Sequence, residues 1–131
     1  MLNFNDDELV TLPTPIKADS EIKFYFTWEL PFDPNEGTDY PRDLKYTIIP
    51  YLNEDIPQPN RITGHLYRIN KNKQGIQTSV YSTNSVTHTV QSKITKIKIK
   101  LTYYHKNRYY DVATGVLHYE IQSKNACCII L

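Results

Sequence analysis

The sequence has few of the residues that close loops or build helices. Only two Cys occur among 131 residues. They are adjacent, Cys127 and Cys128, so they cannot form a disulfide that closes a loop within the fold. The four Gly are isolated, which excludes a glycine-rich phosphate-binding loop. Ala is rare and no long Leu/Glu/Lys stretch is present, so the composition argues against helices.

Targeting signals are also missing. No apolar run approaches the roughly 20 residues of a membrane-spanning helix. The first residues continue from Phe4 into an acidic triplet and lack the basic region and apolar run of a signal peptide. We therefore expect an intracellular protein or a component of a viral or phage particle.

What the sequence does contain is typical of strands. Eleven Tyr accompany many Ile, Val and Thr. A chain of this length forms one domain that buries roughly two-thirds of its unfolded surface. Residues 22–30 alternate between apolar and polar side chains, and so do residues 96–104 within a strand predicted at 94–104. Such a period places the apolar residues on one face of a strand. Their predicted core residues are Ile22, Phe24, Phe26, Trp28 and Leu30 in the first, and Ile97, Ile99, Leu101 and Tyr103 in the second.

Turn signals separate further short strands. We expect strands at residues 8–12, 44–51, 62–69, 76–81, 86–90, 109–112 and 116–122, and turns at 70–75, 105–108 and 113–115. About eight to ten strands at this spacing predict an all-β fold, a single antiparallel β-sandwich that is immunoglobulin/fibronectin-like or jelly-roll-like. Residues 1–20 are interpreted as an N-terminal arm or edge strand, and residues 21–131 as the sandwich domain.

The strand that contains Trp28 and the proline-rich turn after it resemble the second strand of fibronectin type III domains. The resemblance covers about ten residues and implies only that two sheets pack together.

No arrangement of residues for catalysis or cofactor binding is present. The four His, at 65, 88, 105 and 118, do not have the spacing of a metal site, and no Gly-x-Ser-x-Gly motif occurs. The segment 33–39 offers oxygen atoms at alternate positions, as calcium loops do, but it lacks the terminal bidentate Glu and is also what a turn requires. We therefore expect a protein that is not an enzyme and binds neither metal nor cofactor.

Acidic and basic residues are separated along the chain. Residues 1–60 hold twelve acids and four bases, whereas residues 61–131 hold eleven bases and two acids. The stripe Lys96, Lys98 and Lys100 could be a solvated face, a surface for a protein partner, or a track for phosphates, and the near-neutral total argues against nucleic acid. For a protein contact we predict that these lysines meet the acids of a neighbouring copy, at Asp33, Glu36, Asp39 and Asp43.

The residues from Cys128 to Leu131 match the C-a-a-X prenylation pattern. The same residues could instead dock as a terminal β-strand, since Cys packs as a small hydrophobic residue. We expect the docked tail, and a membrane contact only if Cys128 carries a lipid.

Together these features predict a non-enzymatic structural or interaction subunit of a larger assembly, such as a virion or phage component, whose partners are copies of itself or other subunits. The alternative is a prenylated, membrane-anchored adaptor of a eukaryotic cell. A further alternative is a carbohydrate- or nucleic-acid-binding module that uses the Tyr-rich segment 103–110.

Overall fold

The computed structural model describes residues 1–31, 42–53, 56–74 and 78–122. Throughout these residues the chain is all-β, with two antiparallel sheets packed together as a β-sandwich, which confirms the predicted fold class. The described residues form twelve strands, more than the sequence pattern predicts. Part of the excess is very short strands, of which Ile56–Pro57 is the clearest case.

Each sheet combines long central strands with short flanking ones. Sheet A has the order β1-β12-β3-β8-β7, with β9 also paired to β3. Its strands are β1 (Leu2–Asn5), β3 (Glu21–Pro31), β7 (Ile69–Gln74), β8 (Thr78–Thr83), β9 (Val86–Thr89) and β12 (Thr114–Gln122). Sheet B has the order β11-β10-β4-β5, with β2 also paired to β10 and β6 to β4. Its strands are β2 (Val10–Ile16), β4 (Arg42–Asn53), β5 (Ile56–Pro57), β6 (Ile62–Leu66), β10 (Ile94–His105) and β11 (Arg108–Asp111).

The core lies between the sheets and is built from the two strands with the clearest alternation. Phe24, Phe26 and Trp28 of β3 are buried, as are Ile99 and Leu101 of β10. The predicted inward faces of both strands are therefore confirmed. The aromatic rings meet edge to face, with centroids 5.7 Å apart for Phe24 and Phe26, a preferred geometry for such pairs.

The turn predicted at 70–75 is wrong, because Ile69–Gln74 is strand β7 and pairs with β8. The strand predicted at 62–69 instead breaks at Tyr67 and Arg68, where the chain passes from sheet B to sheet A. Strand β7 ends the path of sheet A and, among the described strands of that sheet, pairs with β8 alone. An edge strand needs few apolar residues, so the Asn and Lys residues of β7 give it the composition expected of a turn.

Strand β4 continues beyond the predicted end at residue 51 to Asn53, although it contains Pro50. Pro50 lies opposite Ile97 of β10, and its carbonyl oxygen accepts a hydrogen bond from the backbone of Gln58. The nitrogen and the carbonyl of one strand residue point to the same side. The ring nitrogen of Pro50 therefore faces away from β10, so no hydrogen bond between β4 and β10 is lost. It lies on the other side of β4, at the point where the pairing changes from β6 to β5.

Residues 1–20 contribute one strand to each sheet. Strand β1 pairs with β12 in sheet A, and β2 pairs with β10 in sheet B. Their apolar side chains Leu2, Phe4, Leu12 and Ile16 are buried in the core. This part of the chain therefore adds a paired strand and core side chains to each of the two sheets.

Candidate functional site

The side chains that alternate with the core residues of sheet B form one outer surface. We call this surface face B and place the neighbouring Asp6 at its rim. It consists of Arg42, Lys45, Thr47, Ile49 and Tyr51 from β4, Lys96, Lys98, Lys100, Thr102 and Tyr104 from β10, and Tyr109 and Asp111 from β11. It contains all three lysines of the predicted stripe.

The stripe follows β10 at a spacing of about 6.8 Å, twice the rise per residue of an antiparallel strand. Lys96 lies opposite Tyr51 of β4, and Lys98 lies opposite Ile49. The Nζ atom of Lys98 is 5.8 Å from the ring centroid of Tyr51, a cation–π distance. Tyr51 is buried although it is on the outer side of the sheet, so the neighbouring side chains cover its ring.

Lys100 has two carboxylate partners in its own chain. Its Nζ atom lies 3.6 Å from Asp111 and 3.9 Å from Asp6. Asp111 also accepts a hydrogen bond from the Thr102 hydroxyl at 3.1 Å. Because Lys100 and Asp111 are each about half exposed, the ion pair between them contributes little to stability. The charge of Lys100 is thus partly offset within the molecule, which the sequence did not indicate.

An aromatic and basic cluster occupies the other end of face B. The rings of Tyr104 and Tyr109 are 5.1 Å apart, and the Nζ atom of Lys45 lies 4.9 Å from the Tyr109 centroid. Tyr109 is 56% exposed. Tyr103 and Tyr110 turn to the opposite side of the sheet, so the Tyr-rich segment 103–110 does not form one surface. Sequence reasoning missed Lys45 because it stands in the acidic half of the chain.

Of the acids predicted to meet the stripe, Asp33, Glu36 and Asp39 lie outside the described residues. Asp43 is in β4, with a φ of 49°, where the pairing with β10 shifts register next to Tyr103 and Tyr104. Cys128 and the rest of the C-terminal segment also lie outside the described residues. The predicted contact between these acids and the stripe therefore stays a prediction.

The outer surface of sheet A, here called face A, has a different composition. Its central part consists of Glu21, Lys23, Tyr25, Thr27 and Glu29 from β3, and Val116, His118 and Glu120 from β12. Glu120 lies directly opposite Lys23 across the two strands. Three carboxylates thus share this surface with the ammonium group of Lys23 and, beside His118, the N-terminal ammonium group.

His118 is the most constrained side chain of face A. Its ring stacks on Tyr25 with centroids 4.4 Å apart and an interplanar angle of 3°. Its Nε2 atom lies 2.8 Å from the hydroxyl oxygen of Thr27, within hydrogen-bond distance. Burial lowers the pKa of the imidazole below its ordinary value, and the N-terminal ammonium group lowers it further. The sequence prediction that His118 lies in a strand is correct, but it did not reveal these partners.

Replacing His118 by Gln is expected to make the free energy of unfolding less dependent on pH between about 7 and 5. Because the pKa of His118 is lowered in the folded state, its neutral form contributes stability that is fully present above the unfolded-state pKa. That contribution falls as the pH drops towards the folded-state pKa, since the unfolded chain binds the proton more readily.

Urea unfolding at several pH values measures this dependence, with His65→Gln as the control at an exposed strand position. If the His118→Gln protein follows the same pH profile as the parent, the effect assigned to His118 is wrong.

The described residues contain no group of three or more His, Cys, Asp or Glu side chains placed to hold a metal ion. In the same part of the chain, no helix is long and apolar enough to cross a membrane.

Comparison of the chain with protein-family models, with curated proteins and with solved structures finds no match. The features of the described residues that bear on function are the two outer faces, with the lysines of face B and the carboxylates of face A.

Proposed function

We propose that the protein is a non-enzymatic assembly subunit that associates with copies of itself through the lysines of face B. The observation that carries the proposal is the position of Lys96, Lys98 and Lys100 on β10. Strand β4 flanks β10 on one side, and β2 and β11 flank it on the other. Between β2 and β11, the carbonyl groups of Ile99 and Leu101 accept backbone hydrogen bonds from Asp7 and Val112.

The central position of β10 matters because lysines on an edge strand have an ordinary explanation. They prevent the open edge from pairing with another molecule. The backbone of β10 has partners on both sides, so that explanation does not apply to the stripe. A row of cations on the flat side of a central strand is placed to meet another surface of opposite charge.

A protein partner fits face B better than a nucleic acid does. The formal net charge of the whole chain is +1, whereas domains that bind nucleic acid are usually strongly basic. The chain itself is rich in the complementary charge, since residues 1–60 hold twelve acids. A second copy of the chain can therefore supply the acidic surface that binds face B.

Changing Lys96, Lys98 and Lys100 together to Glu is expected to abolish self-association at low salt. Exposed ion pairs are screened over about 8–10 Å near physiological ionic strength, so the parent should also dissociate as salt is added. Sedimentation velocity across a salt series, at several protein concentrations, measures both effects.

The matched control replaces Lys17, Lys93 and Lys106 by Glu, which changes the net charge by the same amount away from the stripe. Circular dichroism shows whether each variant keeps its strand content. A parent that is monomeric at every salt concentration, or a stripe variant that assembles as the parent does, contradicts the proposal.

A further inference from the structure

Folding converts the charge asymmetry of the sequence into an asymmetry between two surfaces. Among the described residues, face B presents five bases, with the carboxylates of Asp6 and Asp111 beside Lys100. Face A presents the three carboxylates of Glu21, Glu29 and Glu120, together with the ammonium group of Lys23 and the N-terminal ammonium group near His118. In the part of the chain that the structure describes, bases therefore outnumber acids on face B, and acids outnumber bases on face A.

We infer that the acidic partner of face B is face A of a second copy, so that copies stack sheet on sheet. This inference rests on the proposed self-association and identifies its second surface. It replaces the acids of the segment 33–43, predicted from the sequence, with carboxylates that the structure places on one sheet face.

The geometry also determines the kind of assembly. Faces A and B belong to the two sheets of one sandwich and point in opposite directions. A contact between two different surfaces of the same protein repeats, and it closes into a ring only if each step rotates enough. Because the two surfaces are on opposite sides of the molecule, each added copy leaves a free face directly beyond it. The expected product is an open stack that lengthens with concentration.

Both faces carry apolar groups among the charges. Tyr25, which is 36% exposed, and Val116 lie near the middle of face A. Ile49 lies opposite Lys98 on face B, and Tyr109 lies at its aromatic end. These side chains would lose contact with water in a stack. Their burial adds an apolar contribution to the free energy of association, which salt does not screen.

Three charge variants test the inference by sedimentation velocity at low salt. The face A variant carries Glu21→Lys, Glu29→Lys and Glu120→Lys. The face B variant carries Lys96→Glu, Lys98→Glu and Lys100→Glu. The segment variant carries Asp33→Lys, Glu36→Lys and Asp39→Lys and serves as the matched control for the face A variant.

The face A variant and the face B variant should each be monomeric alone, because each then has two faces of like charge. An equimolar mixture of the two should assemble again, because both alternating contacts are complementary. The segment variant should assemble as the parent does. A milder variant, with Gln in place of Glu at positions 21, 29 and 120, avoids added repulsion and should raise the dissociation constant about tenfold or more.

The outcomes separate the two proposals. If the segment variant is monomeric while the face A variant assembles, face A is not the partner and the self-association itself stands. If the mixture of face A and face B variants stays monomeric while each is folded by circular dichroism, the stacking is wrong. If the parent never associates, the proposed function fails together with this inference.

Discussion

Replacing Phe26 by Ala is expected to lower the free energy of unfolding by about 3–5 kcal/mol, the cost of removing a large aromatic side chain from a packed core. Phe26 is fully buried, and its ring lies 5.7 Å from those of Phe24 and Tyr46 and 6.3 Å from that of Phe4. These neighbours come from both sheets, so the cavity would open in the centre of the sandwich. They are held by their own strands and cannot collapse fully into it.

Urea unfolding followed by tryptophan fluorescence and by circular dichroism measures the loss. Lys23→Ala is the matched control, because Lys23 is an exposed residue of the same strand and should change the free energy of unfolding by less than about 0.5 kcal/mol. Equal midpoints for the parent and the Phe26→Ala protein would show that β3 does not carry the core.

Replacing Gly64 by Ala is expected to lower the free energy of unfolding by about 1–3 kcal/mol, the usual cost of overpacking a core. Gly64 lies opposite Tyr46 across β6 and β4. A Cβ atom at this position would lie 2.5 Å from Cζ and 2.7 Å from Cε1 of the Tyr46 ring. The ring cannot move away freely, because it packs against Phe24 and Phe26 at 5.6 and 5.7 Å.

A double variant distinguishes this clash from a change in strand propensity. Tyr46→Leu removes the ring, so combining it with Gly64→Ala should cost less than the sum of the two single changes. Thr63→Ala, at the exposed position next in β6, is the control. If the double variant loses as much free energy of unfolding as the two single variants together, the added methyl group does not contact Tyr46.

Some features of this protein are determined by its sequence alone. The alternation at 22–30 and 96–104 identifies the two core strands and their buried faces, because a period of two is a local property of the backbone. The same reasoning places Lys96, Lys98 and Lys100 on one side of β10, opposite Ile99 and Leu101. Position along one strand was sufficient for each of these predictions.

Other features depend on which strands become neighbours. Residues 69–74 form a strand because β8 supplies hydrogen-bond partners, although their own composition favours a turn. Pro50 continues β4 because its ring nitrogen faces the point where β4 changes partner. A local pattern carries no information about a partner that is distant in the chain.

The candidate site depends on tertiary structure in the same way. Lys45 joins face B because β4 lies beside β10, and Lys100 is partly neutralised because Asp6 and Asp111 come from two other parts of the chain. The sequence shows that acids and bases are separated along the chain. Only the folding of the chain into two sheets decides that the separation becomes a basic face and an acidic face, because each face combines strands from both halves of the sequence.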